Sequence, residues 1–403
     1  MTLLTGMTVL EIGFMVAAPG AGRILADLGA TVIKIEPVTG DVGRRLFPLG
    51  ELSVMFENNN RGKQSLALDL RTSEGRVVFC DLLDGADVVL TNLRPAFLAE
   101  VGVTWEAIHE RNRRVVFGHI TTFGLDDEES GAAGGDVVAQ AESGLTSFQG
   151  EPDGPPLIGQ HSPADAAGAI FAVVGLLAAY VDAQRTGVGR LVDVSLTDVF
   201  TSLDIGVTPV VAASGGAVPA PRTGRFHPSI TPHGVFRASD GYVVISAYGA
   251  GAHSMWPRLA TAVGRPDLAD AAGYRTDAER TARREEIVEL IESWLARFPA
   301  SEDAVRELRS GGVIAARVVT PHDRVSSPRA RRRGVVATVD HPRAGPVDVM
   351  GLPLRISEFE PVLGPAPELG ADTVEVLAQL GYDDERITAL AERGVIARQG
   401  DGP

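Results

Sequence analysis

The stretch Gly154-Pro-Pro-Leu-Ile-Gly-Gln-His-Ser-Pro-Ala-Asp165-Ala-Ala-Gly168 contains the residue best placed for chemistry. Ser162 has the type of a helix cap, Pro163 suits a first helical position, and Asp165 then falls at the third, near the positive end of the helix dipole. A carboxylate held ionised there at neutral pH, fixed by a long apolar helix behind it, can serve as a nucleophile. The same spacing also describes an ordinary acidic helix start, because an acid three residues after a capping serine is a common stabilising pattern. His161, just before the helix, is a weaker candidate whose plainer reading is a loop residue.

Other chemistries lack their patterns. Gly29-Ala30-Thr31 does not spell the spaced glycines of a dinucleotide loop, which speaks against a redox Rossmann site. His227 and His233 are six apart, with no His-Glu-x-x-His or comparable ligand spacing, so metal catalysis is unsupported and no metal site is expected. Neither a Gly-x-Ser-x-Gly elbow nor a Walker sequence occurs.

The elements that must position Asp165 come from an alternation of β-branched runs and helical patterns over the first 125 residues. Strands are expected at Thr8–Ile12, Thr31–Ile35, Asp87–Leu90 and Val115–Thr121, with helices at Ala21–Leu28 and Ser73–Leu83, which predicts a parallel sheet buried between helical layers. A helix over Asp165–Gln184 stops at Gly187, and a strand follows at Leu191–Ser195. The Ala-, Gly-, Pro- and Ser-rich segment Val210–Pro232 reads as a linker into a second unit. That unit should hold a strand at Tyr242–Ala247 and helices at Ser254–Val263, Arg283–Phe298 and Ser301–Arg309. Strands Val335–Val339 and Val347–Val349 and helices Asp372–Leu380 and Asp384–Arg393 close the chain. Arg329–Arg333 reads as a solvated loop.

Composition bounds the function class. A chain of 403 residues, 44% hydrophobic and 22% charged, supports two or three packed domains. The net charge of −15 argues against nucleic acid as a partner. With Cys80 as the single cysteine, no intrachain disulfide forms, and a reducing cytoplasm fits best. The apolar run Ala166–Val181 is shorter than the ~20 residues of a membrane span and reads as a buried helix, so no membrane association is expected.

Several further motifs run through nearly the whole chain: Gly6-x-x-Val-Leu-Glu11, Leu25-Ala-Asp-Leu-Gly-Ala-x-Val-Ile-Lys-x-Glu36-Pro, Gly40-Asp41-x-x-Arg44, Asn60-Arg-Gly-Lys63-x-Ser-x-x-Leu68-Asp69, Ala86-Asp87-Val-x-x-x-Asn92-x-x-Pro95, Phe123-Gly124, Gln140-Ala-x-Ser-Gly-Leu145, Thr186-Gly-x-Gly189 and Ala366-Pro-x-Leu-Gly370. With the Asp165 stretch, they make the chain similar to the class III (family III) CoA-transferases, a family that also includes the α-methylacyl-CoA racemases. The resemblance implies an α/β fold with a Rossmann-like large domain, residues 1–220 and 330–403, a smaller α+β domain over 221–329, and a homodimer of interlocked rings.

It also implies a site. Asp165 matches the aspartate that the transferases use as nucleophile. Val16 and Ala18 would line the pocket beside the thioester, Arg44 would meet the phosphates, Leu68 and Arg71 would flank the adenine, and Asn92 and Leu93 would close over the nucleotide. Asp136, with backbone amides around Gly134–Gly135, would orient the nucleophile or stabilise the oxyanion. The substrates would be an acyl-CoA donor and a carboxylic acid acceptor, coenzyme A being substrate, with no tightly bound cofactor.

Departures from the family pattern narrow the reaction. Gly135 stands where the racemases carry a histidine, which disfavours racemisation because that reaction needs bases on both faces of the α-carbon. Val16 replaces a glutamine of the formyl-CoA transferases, whose glycine-rich loop is not found around Val235–Gly251, so an acyl group with an apolar body is expected. The rival classes are a racemase that uses Asp165 as an acid or base, and a non-catalytic CoA-binding protein.

Overall fold

The computed structural model describes residues 2–249 and 253–400; residues 1 and 401–403 of the expected large domain, and 250–252 of the expected small one, lie outside it. The chain divides into two compact units, one of residues 1–145, 158–215 and 327–403, the other of 146–157 and 216–326. Residues 146–157, assigned to the large domain on sequence grounds, cluster instead with the smaller unit.

In the larger unit, strands and helices alternate as β1 (Thr8–Ile12), α1 (Ala17–Asp27), β2 (Thr31–Glu36), α2 (Val54–Asn60), β3 (Gln64–Leu68), α3 (Ser73–Leu83), β4 (Val88–Thr91), α4 (Pro95–Val101), β5 (Val116–Thr121), α5 (Asp136–Glu142), α6 (Pro163–Thr186), β6 (Leu191–Ser195) and α7 (Leu196–Ser202). The smaller unit carries β7 (His233–Ala238), β8 (Gly241–Ser246) and β9 (Ile314–Arg317). The hairpin β10 (Val336–His341) and β11 (Gly345–Met350), and the edge strand β12 (Ile396–Ala397), belong to the larger unit.

The main sheet has the order β12-β3-β2-β1-β4-β5-β6, all parallel except β12. Val9 and Leu10 are both fully buried although they point to opposite faces, as the strands of a sheet covered on both sides must be. The strand order reverses between β1 and β4. In open α/β sheets that reversal leaves a crevice beyond the carboxyl ends of the two strands, and ligands settle there. In the smaller unit, the antiparallel sheet β9-β8-β7 packs Phe236, Val243 and Ile245 with Trp256, Ile287 and Ile291.

Three local expectations are corrected. Helix α1 starts at Ala17 rather than Ala21, since Pro19 sits within its first turn, where a missing N–H costs nothing. The run Arg329–Arg333 is no loop: Pro328–Arg332 is a short exposed helix, capped by the Ser327 hydroxyl. Helix α6 reaches 24 residues and is only half buried. Ala164, Ala167, Ala172, Leu176 and Ala183 pack inward, where the helix meets α1, α7, β5 and β6, whereas Ile170, Phe171, Val174 and Val181 face outward. By length and composition α6 could cross a membrane, but its inner face is part of the core of the larger unit.

Candidate active site

The crevice between β1 and β4 is closed at its base by side chain to backbone bonds. Asn92, just past β4, accepts from Phe14 N at 3.0 Å and donates Nδ2 to Phe14 O at 3.0 Å, locking it to the turn that follows β1. Thr91 Oγ1 donates to Ile12 O at 2.6 Å and accepts from Leu93 N at 3.1 Å. Buried His119 bonds Leu93 O through Nε2 at 2.7 Å; burial lowers its pKa, so the neutral ring donates here.

A buried ion network holds the same turn from behind. Glu11 pairs with Lys34 at 3.1 Å and with Lys63 at 2.6 Å, and Lys34 reaches Asp41 at 2.9 Å, with none of these side chains exposed. The two ammonium groups also donate to backbone, Lys34 to Gly13 O in the turn and Lys63 to Pro19 O at the start of α1, each at 2.9 Å. Burial drives the Lys63 ammonium down to about 7 despite Glu11. For Lys34 burial acts the same way, but Glu11, Asp41 and Glu36 outweigh it and raise the pKa. The motif residues Glu11, Lys34, Asp41 and Lys63 are thus the frame of the crevice.

Above this frame, within the larger unit, opens a cleft of about 650 Å³. Val16, Asn92, Leu93, Gly135, Asp136 and Asp165 all line it. A small adjoining pocket of about 40 Å³ shares Phe14 and Leu93 with the cleft and is lined by Leu68, Arg71 and Phe97. The Arg71 guanidinium lies 5.3 Å over the Phe97 ring.

Three of the candidate residues stand apart. Ala18 is fully buried and does not line the cleft; its methyl group lies where a Cβ on Gly13 would come within 2.8 Å, so it packs under the turn. Arg44 is engaged by Glu36 at 2.8 and 2.6 Å and by Pro367 O at 3.0 Å, and it lies 4.0 Å over Phe56, outside the cleft lining. His161 is exposed and also outside the lining.

Asp165 occupies the first turn of α6, but the cap is not Ser162. Ser162 adopts a left-handed conformation, φ 51° and ψ 54°, and its side chain makes no capping bond. Asp136 takes that role from another helix, its Oδ1 accepting from Ala164 N at 2.8 Å and Asp165 N at 3.2 Å. Its Oδ2 accepts from Gln140 Nε2 at 2.6 Å, and Gln140 in turn bonds both backbone groups of Gly159, at 2.7 and 2.9 Å. Asp136 can enter the site because Gly135 before it has φ 136°, which only glycine adopts without strain.

Asp165 is harder to ionise than its place at a helix start predicts. Burial first, and the neighbouring Asp136 carboxylate second, push its pKa up to about 7. The favourable field of the helix start is outweighed, and at neutral pH the group sits at its titration midpoint, where a nucleophile or a general acid/base is most readily switched.

The sequence reading missed other lining residues. Arg94 precedes Pro95 at the start of α4, is exposed, lines the cleft and forms no ion pair among the described residues. It could have been found as the one cation inside the motif that spans Asn92 to Pro95. Met15 and Phe47 line the cleft with φ 67° and 49°, a strained conformation for such side chains that no local pattern reveals. Among the described residues, no cluster of three His, Cys, Asp or Glu side chains is arranged as a metal site.

Fold and site together define an α/β enzyme of Rossmann-like topology that lacks a dinucleotide loop and places a carboxylate in its cleft. Residues 4–373 match CoA-transferase family III, and the chain belongs to that family and is a class III CoA-transferase. It is 33% identical to a succinyl-CoA:mesaconate CoA-transferase of Haloarcula hispanica, over 94% of this chain and 97% of the relative. It is 30% identical to a succinyl-CoA:glutarate CoA-transferase of Homo sapiens, over 98% of this chain and 90% of that one. Among solved structures it resembles a CAIB/BAIF family protein from Brucella suis, with a TM-score of 0.83 and 30% identity over 94% of this chain and 99% of that chain.

Proposed function

We propose that Asp165 is the covalent nucleophile of a CoA transfer between carboxylic acids. The supporting observation is its position, in the cleft, with its backbone amide and that of Ala164 held by Asp136. The ionised carboxylate attacks the donor thioester, forming a mixed anhydride and releasing CoA thiolate. The thiolate attacks the aspartyl carbonyl, the donor acid leaves, and an aspartyl thioester remains. The acceptor carboxylate attacks that thioester to form a second anhydride, CoA returns to the acceptor's acyl carbon, and Asp165 is regenerated. One thioester is exchanged for another, so no ATP is consumed.

Leu68, Arg71, Asn92 and Leu93 would seat the nucleotide arm of CoA, with Arg94 rather than the engaged Arg44 facing its phosphates. Val16, in the same cleft as Asp165, favours an acyl group with an apolar body. The relatives' names point to dicarboxylic acids such as succinate and mesaconate as one such class. We place the protein in the cytoplasm as a homodimer.

Hydroxylamine added with an acyl-CoA donor should convert Asp165 to a hydroxamate, because the anhydride and the thioester are far more electrophilic than a resting carboxylate. Peptide mapping should show the mass shift only when donor is present, and Asp165→Asn should show neither label nor transfer. A label on another carboxylate, or transfer by the Asn variant at the wild-type rate, would overturn the assignment.

A further inference from the structure

The cap exchange at the start of α6 leaves one group without an assignment. Ser162 has the residue type that caps helices, and caps normally hold an extended backbone and bond the first free amides. Here Asp136 has taken those amides, and the Ser162 hydroxyl makes no hydrogen bond to any described residue. Its backbone is left-handed at φ 51°, a conformation that strains a residue with a Cβ. Ser162 nonetheless lines the same cleft as Asp165, three residues before it at the start of the helix. A left-handed serine whose hydroxyl is left unused in the cleft that also holds Asp165 is a feature that capping does not explain.

The geometry points to Ser162 as a further catalytic residue, whose hydroxyl donates a hydrogen bond to the carbonyl oxygen of the Asp165 acyl intermediates. This rests on Asp165 being the nucleophile. When CoA thiolate attacks the mixed anhydride, the sulfur–carbon bond forms, the aspartyl carbonyl oxygen takes the electron pair, and the bond to the donor carboxylate then breaks. The negative charge on that oxygen is greatest between those two events. A donor poised there stabilises the transition state more than the resting state, and the hydroxyl keeps its proton throughout. Attack by the acceptor on the aspartyl thioester places charge on the same oxygen, so one donor serves both steps.

Two substitutions separate this role from a structural one. Ser162→Gly removes the hydroxyl and relieves the left-handed strain, so the protein should melt no lower than wild type while kcat falls by about 100- to 1,000-fold. Ser162→Ala removes the hydroxyl but keeps the Cβ, and should lose kcat to the same extent. In both, the KM for the acyl-CoA should stay within about twofold, the pattern of an interaction made only in the transition state. A backbone effect would separate the two variants, and wild-type turnover in either one would overturn the proposal. Donor-dependent hydroxamate formation at Asp165 in the wild-type protein is measured alongside. A label elsewhere refutes the nucleophile, whereas a label on Asp165 with an active Ser162→Gly enzyme refutes only the serine.

Discussion

The place of Asp165 after Ser162-Pro163 made it one candidate among plainer readings, the resemblance to the transferases singled it out, and its ionisation was not legible at all. The local rule has the helix start stabilising the charged form, yet burial first, and then Asp136, distant in sequence and adjacent in space, raise the pKa. Both causes are tertiary, and no window around residue 165 contains them. They set a pH dependence. Only the carboxylate attacks, so kcat/KM, which reports the free enzyme, should fall as pH drops through about 7. Lys63 titrates near the same pH, in the frame behind the turn, which makes a second measurement necessary. Asp136→Asn keeps an oxygen to accept from Ala164 N and Asp165 N but removes the repelling charge, and the acid limb should move down by about half a unit to one unit. A limb that stays in place would assign the titration to another group.

At the scale of elements, the sheet strands were readable as short β-branched runs apolar on both faces, and the longer helices from their apolar patterning. The seven-residue helices α2, α4 and α5 were not, being too short for a helical period to show against their motif residues. The β1–α1 turn was legible only through Glu11, Lys34 and Lys63 as separate motif residues, with no hint that these side chains meet. Their meeting explains Gly22 on α1, where an added Cβ would stand 2.1 Å from Glu11 Oε2. That oxygen is fixed by Lys63 at 2.6 Å and has no solvent to move into. Gly22→Ala should therefore displace Glu11 from its buried partner and destabilise the larger unit by about 3 kcal/mol, even though alanine is the better helix former. Chemical denaturation would measure it. A variant as stable as wild type would mean that the network is slack, and that it does not hold the turn.

At the scale of the whole molecule, α6 could be read as buried from sequence because a helix apolar all round usually is. The structure buries one face and leaves Ile170, Phe171, Val174 and Val181 between 44% and 63% exposed on the other, a ridge at helical spacing. A protein carrying a net charge of −15 keeps such a ridge in water only at a cost in hydration. A second copy offers the same apolar ridge about a two-fold axis, so that each side buries what the other exposes, which accords with the homodimer proposed above. Native mass spectrometry of the wild-type chain should then show dimers that survive dilution, because interlocked subunits separate only by partial unfolding. Introducing Phe171→Glu and Val174→Glu together sets four carboxylates facing one another across the axis and should yield monomers or aggregate in place of the dimer. A wild-type monomer that keeps its fold at low concentration would rule out the interlocked pair. A dimer that persists with both substitutions would mean that this ridge is not where the subunits meet.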